Sequence, residues 1–432
     1  MNWIERVFKL QEHGTNVRTE LIAGLTTFLT MAYIIFVNPS ILGDAGMPKD
    51  AVFVATCLIA ALGTAVMAFY ANYPIAMAPG MGLNAYFAYA VVLHMGFTWQ
   101  AALGAVFVSG CLFLVVTLTG IRRMIIDGIP QSLRFAITVG IGLFLALIAL
   151  KSAGIVVGSE ATLVTLGDLH QPSVILASLG FLLMVALDRL RVKGAILIGI
   201  IAVTVASFFF GGNQFHGIFS APPSIEPTFL QLDIKTALTK GFLNVVLVFF
   251  LVELFDATGT LMGVARRAGL LVPGKMDRLS KSLLADSAAI FAGSLLGTSS
   301  TTAYVESASG VQAGGRTGLT ALTVSVLFLA CLFIAPLAGV VPAYATAPAL
   351  FFVGCLMMRD LTEIDWDDST ETIPAAITAL MMPFTYSIAT GLACGFISYA
   401  LIKLCTGRVR EVHWMVWIIA ALFMFKFVYV GG

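Results

Sequence analysis

Long apolar stretches recur along the whole chain and constrain its fold more than any other feature. Fourteen of them are separated by short polar, glycine or proline breaks, and a fifteenth closes the chain. Hydrophobic residues make up 59% of the 432 residues, and only 11% are charged, against about a quarter in soluble domains. Because about 20 apolar residues make a helix that crosses a bilayer, the sequence predicts an all-α polytopic membrane protein with about 14 transmembrane segments.

The predicted segments form two sets of seven. The first set covers residues 19–38, 51–70, 75–95, 100–120, 132–150, 172–188 and 193–211, and the second covers residues 240–263, 281–296, 298–314, 319–340, 344–358, 371–384 and 386–405. Pro383 marks the break between the last two segments, and a polar stretch separates the sets. The closing apolar run, 413–430, either crosses the bilayer or lies in its interface.

Lysine and arginine residues divide unevenly between the two predicted faces. With a cytoplasmic N-terminus, the outer face receives only Lys49, Lys151, Lys235 and Lys240. Lys426 is unassigned, and all the other lysines and arginines fall on the inner face, as the positive-inside rule requires. The charged start of the chain lacks the pattern of a cleaved signal peptide. We therefore expect residues 1–18 to form a cytoplasmic amphipathic N-terminus.

An odd number of segments in each set implies that the two halves cross the membrane with opposite topology. Such a 7+7 inverted repeat is typical of transporters whose sites lie where discontinuous helices meet at the midplane. The matching interrupted segments are the third, at Tyr73–Asn84, and the tenth, at Gly297–Gly310. Each is predicted to begin extended and then turn helical. Two helix N-termini would then point backbone N–H groups at one cavity.

The tenth segment is rich in Gly, Ser and Thr and carries one carboxylate, Glu306. Irregular polar backbone at membrane depth is tolerated only where it is buried in protein or lines a water-filled cavity. A carboxylate there is a candidate functional group, and Ser300 and Thr302 of the same stretch are candidate substrate-binding residues. The alternative is a packing seam of small residues with a structural glutamate.

The eighth segment carries two carboxylates, Glu253 and Asp256, which are three residues apart and therefore share a helix face. Two such groups repel each other unless one is protonated or both find partners. They are candidates for proton coupling, together with Glu306, and for substrate binding. The alternative is a structural pair bonded to the backbone of the broken segments. For Asp286, a role in holding the tenth segment is equally compatible with the sequence.

Several further polar and aromatic residues are candidates to line the same cavity. Asn84 offers an amide donor and acceptor for a heterocycle edge, unless it only caps a helix. Thr26 and Thr27 either face the cavity or bond back to their own helix, as hydroxyls in membrane helices often do. The aromatic side chains that could stack on a flat ligand are Phe28, Phe87, Phe255 and Tyr304.

Other classes of function find little support in the sequence. The glycine pattern at Gly80 and Gly82 lacks the strand–helix–strand context of a dinucleotide site. A serine hydrolase at Ser299 or Ser300 would need a base, and the histidines lie at segment ends and loops. Cysteine and histidine spacing indicates no metal site, and the net charge of +1 argues against a nucleic-acid partner. No cofactor and no enzymatic activity are predicted.

The chain resembles the AzgA-like purine permeases of the nucleobase–ascorbate transporter superfamily nearly end to end. The motifs that carry the resemblance are Thr19–Tyr33, Ala78–Ala85, Leu254–Leu261, Gly297–Ser307, Gly314–Thr320 and Met382–Ser387. Several such motifs in the same order are far more specific than any one alone. Relatives often carry Asp or an uncharged residue at the position of Glu253. This departure leaves open whether Glu253 or Asp256 contacts the substrate.

The resemblance implies a core domain that moves against a gate domain and exposes the site alternately to each side. The implied domain boundaries are 19–130 and 236–340 for the core and 131–235 and 341–432 for the gate. It also implies purine base uptake by proton symport across a bacterial inner membrane. The substrate-facing acids would be Glu306 with Glu253 or Asp256, and Asn84 would contribute from the third segment.

The amino-acid sequence of the tenth segment resembles that of the adenine-preferring bacterial branch of these permeases. The alternatives are a guanine/hypoxanthine permease, a uracil, xanthine or anion transporter of the same fold and, more remotely, an intramembrane hydrolase. A homodimer is implied through the resemblance alone.

Overall fold

The structure is a computed structural model that describes residues 3–210, 217–267 and 277–429. It consists of helices interrupted by two small two-stranded sheets. The elements of the first half are α1 (Trp3–Phe8), α2 (Val17–Met31), α3 (Ile34–Asp44), α4 (Lys49–Val66), β1 (Met77–Pro79), α5 (Met81–Ala85), α6 (Trp99–Leu118), α7 (Ile121–Gly128), α8 (Gln131–Ser152), β2 (Val156–Ser159), β3 (Leu163–Leu166), α9 (Pro172–Arg189) and α10 (Ala195–Ser207). Short π-helical stretches, Met67–Ala71 and Tyr86–His94, continue α4 and α5.

The second half repeats this plan. Its elements are α11 (Ile234–Thr239), α12 (Leu247–Arg267), α13 (Asp277–Leu296), β4 (Thr301–Ala303), α14 (Ser307–Gln312), α15 (Gly318–Cys331), α16 (Ala335–Val340), α17 (Ala343–Met357), α18 (Ser369–Phe384), α19 (Ile388–Cys405) and α20 (Trp414–Tyr429). A π-helical stretch, Phe242–Val246, precedes α12. Each predicted segment contains helix, so the predicted helical membrane fold class is confirmed.

The predicted breaks occur where the sequence placed them. The third segment is extended at β1 before α5, and the tenth is extended at β4 before α14. The chain also breaks between α18 and α19, where Tyr386 adopts a φ of 53°. Two breaks were not predicted: α2 and α3 divide the first segment, and α15 and α16 divide the eleventh.

Within the described ranges, seven helical stretches, two of which include the breaks just named, are long and apolar enough to cross a membrane. They are Val17–Asp44, Lys49–Ala71, Trp99–Leu118, Gln131–Ser152, Pro172–Arg189, Gly318–Val340 and Ile388–Cys405. Helix α20 has 16 residues, or about 24 Å at 1.5 Å per residue, which is shorter than the hydrocarbon core.

Side-chain caps begin several helices. Asn16 accepts a hydrogen bond from the Thr19 N–H at the start of α2, and Thr98 does the same for α6 from Ala101. Ser387 caps α19 by accepting from the Thr390 N–H. Such caps satisfy amide groups that have no partner within the helix. They explain why these helices begin where short polar residues follow a loop.

The helices pack as two groups that mix the halves of the chain. In one group, α4 packs against α13 and α15, α15 packs against α2, and α6 packs against α13. In the other, α8 packs against α17 and α18, and α18 packs against α19. In each group, first-half helices therefore pack directly against second-half helices.

Strands β1 and β4 form an antiparallel pair with Ala78 opposite Thr302. All three residues of each strand are buried. The second sheet, β2 with β3, is an exposed hairpin between α8 and α9 that the sequence did not predict. The amphipathic helix α7, which joins the fourth and fifth segments, was not predicted either.

Candidate functional site

The two broken segments meet through their backbones. Beyond the β1–β4 register, Tyr304 N–H donates to Ala76 O at 2.9 Å, and Gly80 N–H donates to Ser300 O at 2.9 Å. These bonds satisfy peptide groups that helix interruption would otherwise leave without partners in a buried environment. The sequence predicted that both segments are extended, but not that they pair with each other.

Side chains fasten the strand pair from both sides. The Tyr304 hydroxyl donates to Pro79 O at 2.6 Å, and Ala76 N–H donates to Ser307 Oγ at 3.0 Å. Thr64 Oγ1 of α4 accepts from Met77 N–H at 2.9 Å. The strand pair is therefore bonded to the start of α14 through Ser307 and to α4 through Thr64.

Glu306 directly precedes α14 and is only partly buried. The hydroxyl of Tyr33, which lies at the break between α2 and α3, donates to Glu306 Oε1. Tyr33 is 1% exposed. Because this contact holds one carboxylate oxygen, it fixes the orientation of the other. Sequence reasoning missed Tyr33, although it ends the first of the motifs quoted above.

Asp256, like Glu306, is partly buried. Its carboxylate acts electrostatically on Glu306 and on Tyr304. A Cβ on Gly80 would lie 3.7 Å from Asp256 Oδ2 and 2.9 Å from Thr302 Cγ2. Helix α12 therefore brings Asp256 against the turn between β1 and α5, where only glycine fits.

Glu253 points elsewhere. It is fully buried, and its Oε2 accepts a 2.6 Å hydrogen bond from Ser109 Oγ of α6. The Ser300 hydroxyl lies beside the Glu253 carboxylate, but Ser300 Oγ and Glu253 Oε1 make no hydrogen bond of good geometry to a described residue. The two carboxylates of α12 thus have different surroundings despite their three-residue spacing.

Asn84 connects the third segment to the tenth, because its Oδ1 accepts a hydrogen bond from the Ser299 hydroxyl. Its Nδ2 is buried without a partner among the described residues, and so are the hydroxyls of Thr302 and Thr27. Buried polar groups without partners are rare in proteins and call for an explanation such as a ligand or water.

The chain matches the family model Xan_ur_permease, described as Permease family, over residues 18–394. The chain belongs to this family. A putative permease of Methanocaldococcus jannaschii, MJ0326, is 55% identical to this permease, and the match covers all of both chains. The adenine permease AdeQ of Escherichia coli (strain K12) is 50% identical over 99% of this chain and 96% of AdeQ. The guanine/hypoxanthine permease PbuO of Bacillus subtilis (strain 168) is 47% identical over 97% of this chain and 99% of PbuO.

These relatives confirm the resemblance to the AzgA-like nucleobase permeases. Among solved structures, the transmembrane domain of the cyanobacterial bicarbonate transporter BicA superposes with a TM-score of 0.65. It covers 88% of this permease and 97% of the BicA domain at 16% identity. At that identity the likeness establishes the shared fold alone.

The remaining candidate residues of the permease divide between site and scaffold. Thr30 bonds back to the carbonyls of Thr26 and Thr27, and Thr27 Oγ1 lies against Gly310 of α14. Phe28 stacks edge-on with Phe328 at 5.3 Å between ring centroids. Phe87 is buried in the core and Tyr304 holds Pro79, whereas the side chain of Phe255 lies outside the described residues.

Asp286 of α13 takes the structural position that the sequence left open. Its Oδ1 accepts from the Ala303 N–H of β4 at 3.3 Å. Its Oδ2 lies 3.7 Å from the Arg122 guanidinium of α7. Arg122, which the sequence analysis did not single out, is 2% exposed.

Two alternatives lose support from the geometry. The Ser299 hydroxyl donates to the Asn84 amide oxygen, which does not activate it as a nucleophile. An anion substrate would be favoured by a cation near the broken segments, but the guanidinium of Arg316, just after the tenth segment, donates to Val311 O and Gly315 O at 2.8 Å. Among the described residues, no cluster of three or more His, Cys, Asp or Glu side chains could hold a metal.

A cavity of about 830 Å³ lies away from these carboxylates. Helices α8, α18 and α19 contribute to its walls through Ser132, Glu371 and Tyr399. The crossing of the broken segments holds buried polar atoms without partners among the described residues, such as Asn84 Nδ2 and Thr302 Oγ1, and the partly exposed carboxylates of Glu306 and Asp256.

Proposed function

We propose that this permease imports purine nucleobases, most specifically adenine, by proton symport. The observation that carries the proposal is the pairing of the two broken segments next to Glu306 and Asp256. In a membrane protein, partly exposed carboxylates at such a crossing are costly unless a polar substrate or a proton uses them. The relatives named as adenine and guanine/hypoxanthine permeases support the substrate class.

A purine base matches the polarity of this site. Its N–H groups are donors for the carboxylates of Glu306 and Asp256, and its ring nitrogens are acceptors for a donor such as Asn84 Nδ2. The Thr26, Thr27, Ser300 and Thr302 hydroxyls supply further polar contacts nearby. Tyr33 orients Glu306 for this role.

Adenine is favoured over guanine and hypoxanthine by a narrow margin. The adenine permease AdeQ is 50% identical to this chain and the guanine/hypoxanthine permease PbuO is 47% identical. At the 6-position adenine presents an amino group as a donor where guanine and hypoxanthine present a carbonyl oxygen, so a carboxylate placed against that position would favour adenine.

The two α12 carboxylates divide the work. Asp256 faces Glu306 and is partly exposed, which supports contact with the base. Glu253 is fully buried beside Ser109, which supports a role in holding the coupling proton. A proton and a base that each stabilise the same occluded state are thermodynamically coupled.

Transport would proceed by movement of a core domain, 19–130 with 236–340, against a gate domain, 131–235 with 341–432. The observed packing of α2, α4, α6, α13 and α15 with one another, and of α8 with α17 and α18, supports this division. The N-terminus would lie in the cytoplasm of a bacterial cell, with the protein in the inner membrane. A homodimer in the lipid bilayer completes the proposal.

Competition of radiolabelled adenine uptake tests this function directly. The full-length permease in proteoliposomes, with an inward proton gradient, should accumulate adenine. Unlabelled adenine should compete best, hypoxanthine and guanine less well, and uracil and bicarbonate not at all. Collapse of the gradient with a protonophore should abolish accumulation.

Stronger competition by hypoxanthine or guanine than by adenine would show that the permease has the specificity of the guanine/hypoxanthine branch of the family. Competition by uracil alone would contradict purine transport. Labelling of Ser299 or Ser300 by a fluorophosphonate would contradict the transporter assignment in favour of a hydrolase.

A further inference from the structure

A buried guanidinium reaches the acidic interior from the connection between the fourth and fifth segments. Arg122 on α7 donates to Leu283 O of α13 at 3.2 Å, and its guanidinium lies 4.3 Å from the centre of the Phe113 ring of α6. It is 2% exposed. An arginine in such a place needs a compensating charge.

That charge comes from two carboxylates on different helices. Asp286 of α13 lies 3.7 Å from Arg122. The fully buried Glu253 of α12 accepts a hydrogen bond from Ser109, one turn of α6 away from the Phe113 ring that Arg122 contacts, so its carboxylate lies near the same charges. Among the described side chains, the hydroxyls of Ser109 and Ser300 lie beside Glu253, and the carboxylate of Asp256 acts on Asp286. The Phe113 ring of α6 lies against Arg122. At the far end of α7, His413 lies against Gly128.

Among the described side chains, the charges in this cluster do not balance when both carboxylates are ionised. One guanidinium neutralises one carboxylate, and a second uncompensated charge in a buried site costs several kcal/mol. Asp286 has the structural task, because it holds β4 through the Ala303 N–H and forms the ion pair. Among the described residues, the donors beside Glu253 are the hydroxyls of Ser109 and Ser300. The proton that balances the cluster therefore belongs to Glu253.

We propose that Arg122 is a positioning residue for proton coupling: its ion pair keeps Asp286 charged and leaves Glu253 as the group that takes up and releases the proton. This inference rests on the proposed proton symport. It assigns a role in coupling to the short helix between the fourth and fifth segments, which lies outside the substrate site. Substrate contacts by Glu306 and Asp256 do not involve Arg122.

Exchange and net accumulation separate these roles in proteoliposomes containing the full-length protein. Counterflow of labelled against unlabelled adenine needs no proton release, whereas accumulation driven by a pH gradient needs it in every cycle. Arg122→Gln and Glu253→Gln should both keep counterflow within about twofold of the parent and lose accumulation by at least about tenfold. Arg122→Lys, which keeps the charge, should retain accumulation with a shifted pH profile. Arg189→Gln, at an exposed helix end, is the matched control and should change neither.

Two results would overturn the proposal. One is parent-like accumulation with an unchanged pH profile in Arg122→Gln. The other is a loss of counterflow as large as the loss of accumulation, both in Arg122→Gln and in the double variant Arg122→Gln/Asp286→Asn. That result would mean that the ion pair only stabilises the fold. A positioning role predicts that the double variant, which removes both charges together, keeps counterflow.

A parent protein that moves no adenine would contradict the proposed function rather than the role of Arg122. In that case the pH dependence of thermal unfolding, measured without any base, still tests the cluster. A shift between parent and Arg122→Gln supports the proposal, and identical pH dependence contradicts it.

Discussion

The third and tenth segments share a backbone plan and differ in chemistry. Both run from a buried strand into a short helix, and the strands pair residue for residue. The third segment contributes the apolar strand Met77–Pro79, a glycine turn and one amide, Asn84. The tenth contributes hydroxyls and the carboxylate Glu306. Symmetry therefore builds the crossing, and the asymmetry of side chains gives it a polar, acidic face on one side.

The largest expected effect comes from removing the charge on the tenth segment. Glu306→Gln should lower kcat/KM for adenine uptake on the order of 100-fold, because hydrogen bonds to a charged group are worth about 1.5–3 kcal/mol. Asn84→Ala, on the third segment, should lower it about tenfold, since it removes a neutral donor. Initial rates of uptake at several concentrations measure both.

Glu226→Gln, in an exposed loop, is the control and should transport as the parent does. Equal losses in the Glu306 and Asn84 variants would show that the two segments contribute alike. That result would break the comparison.

An intermediate effect is expected where the two segments touch. A Cβ on Gly80 would lie 2.9 Å from Thr302 Cγ2, so Gly80→Ala should destabilise the permease by about 1–3 kcal/mol through overpacking. Thr302→Ser removes that methyl group, and the double variant should recover most of the lost melting temperature. Thermal unfolding in detergent measures both.

Gly158→Ala is the matched control, because nothing lies within 4 Å of a Cβ at that hairpin position. If Thr302→Ser does not rescue Gly80→Ala, the destabilisation does not come from the contact between Gly80 and Thr302. The two segments would then not be tightly packed at that point.

The smallest effect serves as a reference from outside both segments. Asp368 caps α18, and the backbone N–H and hydroxyl of Thr370, with Arg408, lower the pKa of its carboxyl from 3.8 to about 2. Because the folded-state pKa is depressed, the stabilisation is present above pH 3.8 and is lost as the pH falls toward 2. The difference in melting temperature between the parent and Asp368→Asn should therefore shrink over that range.

Uptake at neutral pH should stay within about twofold of the parent in Asp368→Asn, since exposed ion pairs contribute little. A large transport defect in Asp368→Asn would mean that transport depends on acids outside the paired segments as much as on Glu306. A pH-independent difference in melting temperature would contradict the role of the charge.

Sequence reasoning reached the local features of this permease and missed those that depend on distant partners. A broken third segment is predicted by Pro79, Gly80 and Gly82. A broken tenth segment is predicted by the Gly, Ser and Thr residues after Gly297. Glu20 of α2 accepts hydrogen bonds from the N–H groups of Arg316, Thr317 and Thr320 and so caps α15. The sequence around Glu20 does not predict this contact. The same holds for Arg122 and Asp286.

The sequence by itself determined the number of apolar segments, the places where helices cannot continue, and the acids that a bilayer would not tolerate without a reason. These properties follow from hydropathy, backbone chemistry and the cost of burying charge, all of which act over a few residues. Only the tertiary structure decided which partner each buried group received. It separated Glu253, beside Ser109, from Asp256, near Glu306, because helix packing brings together residues that lie far apart in the sequence, as Ser109 and Glu253 do at 144 positions.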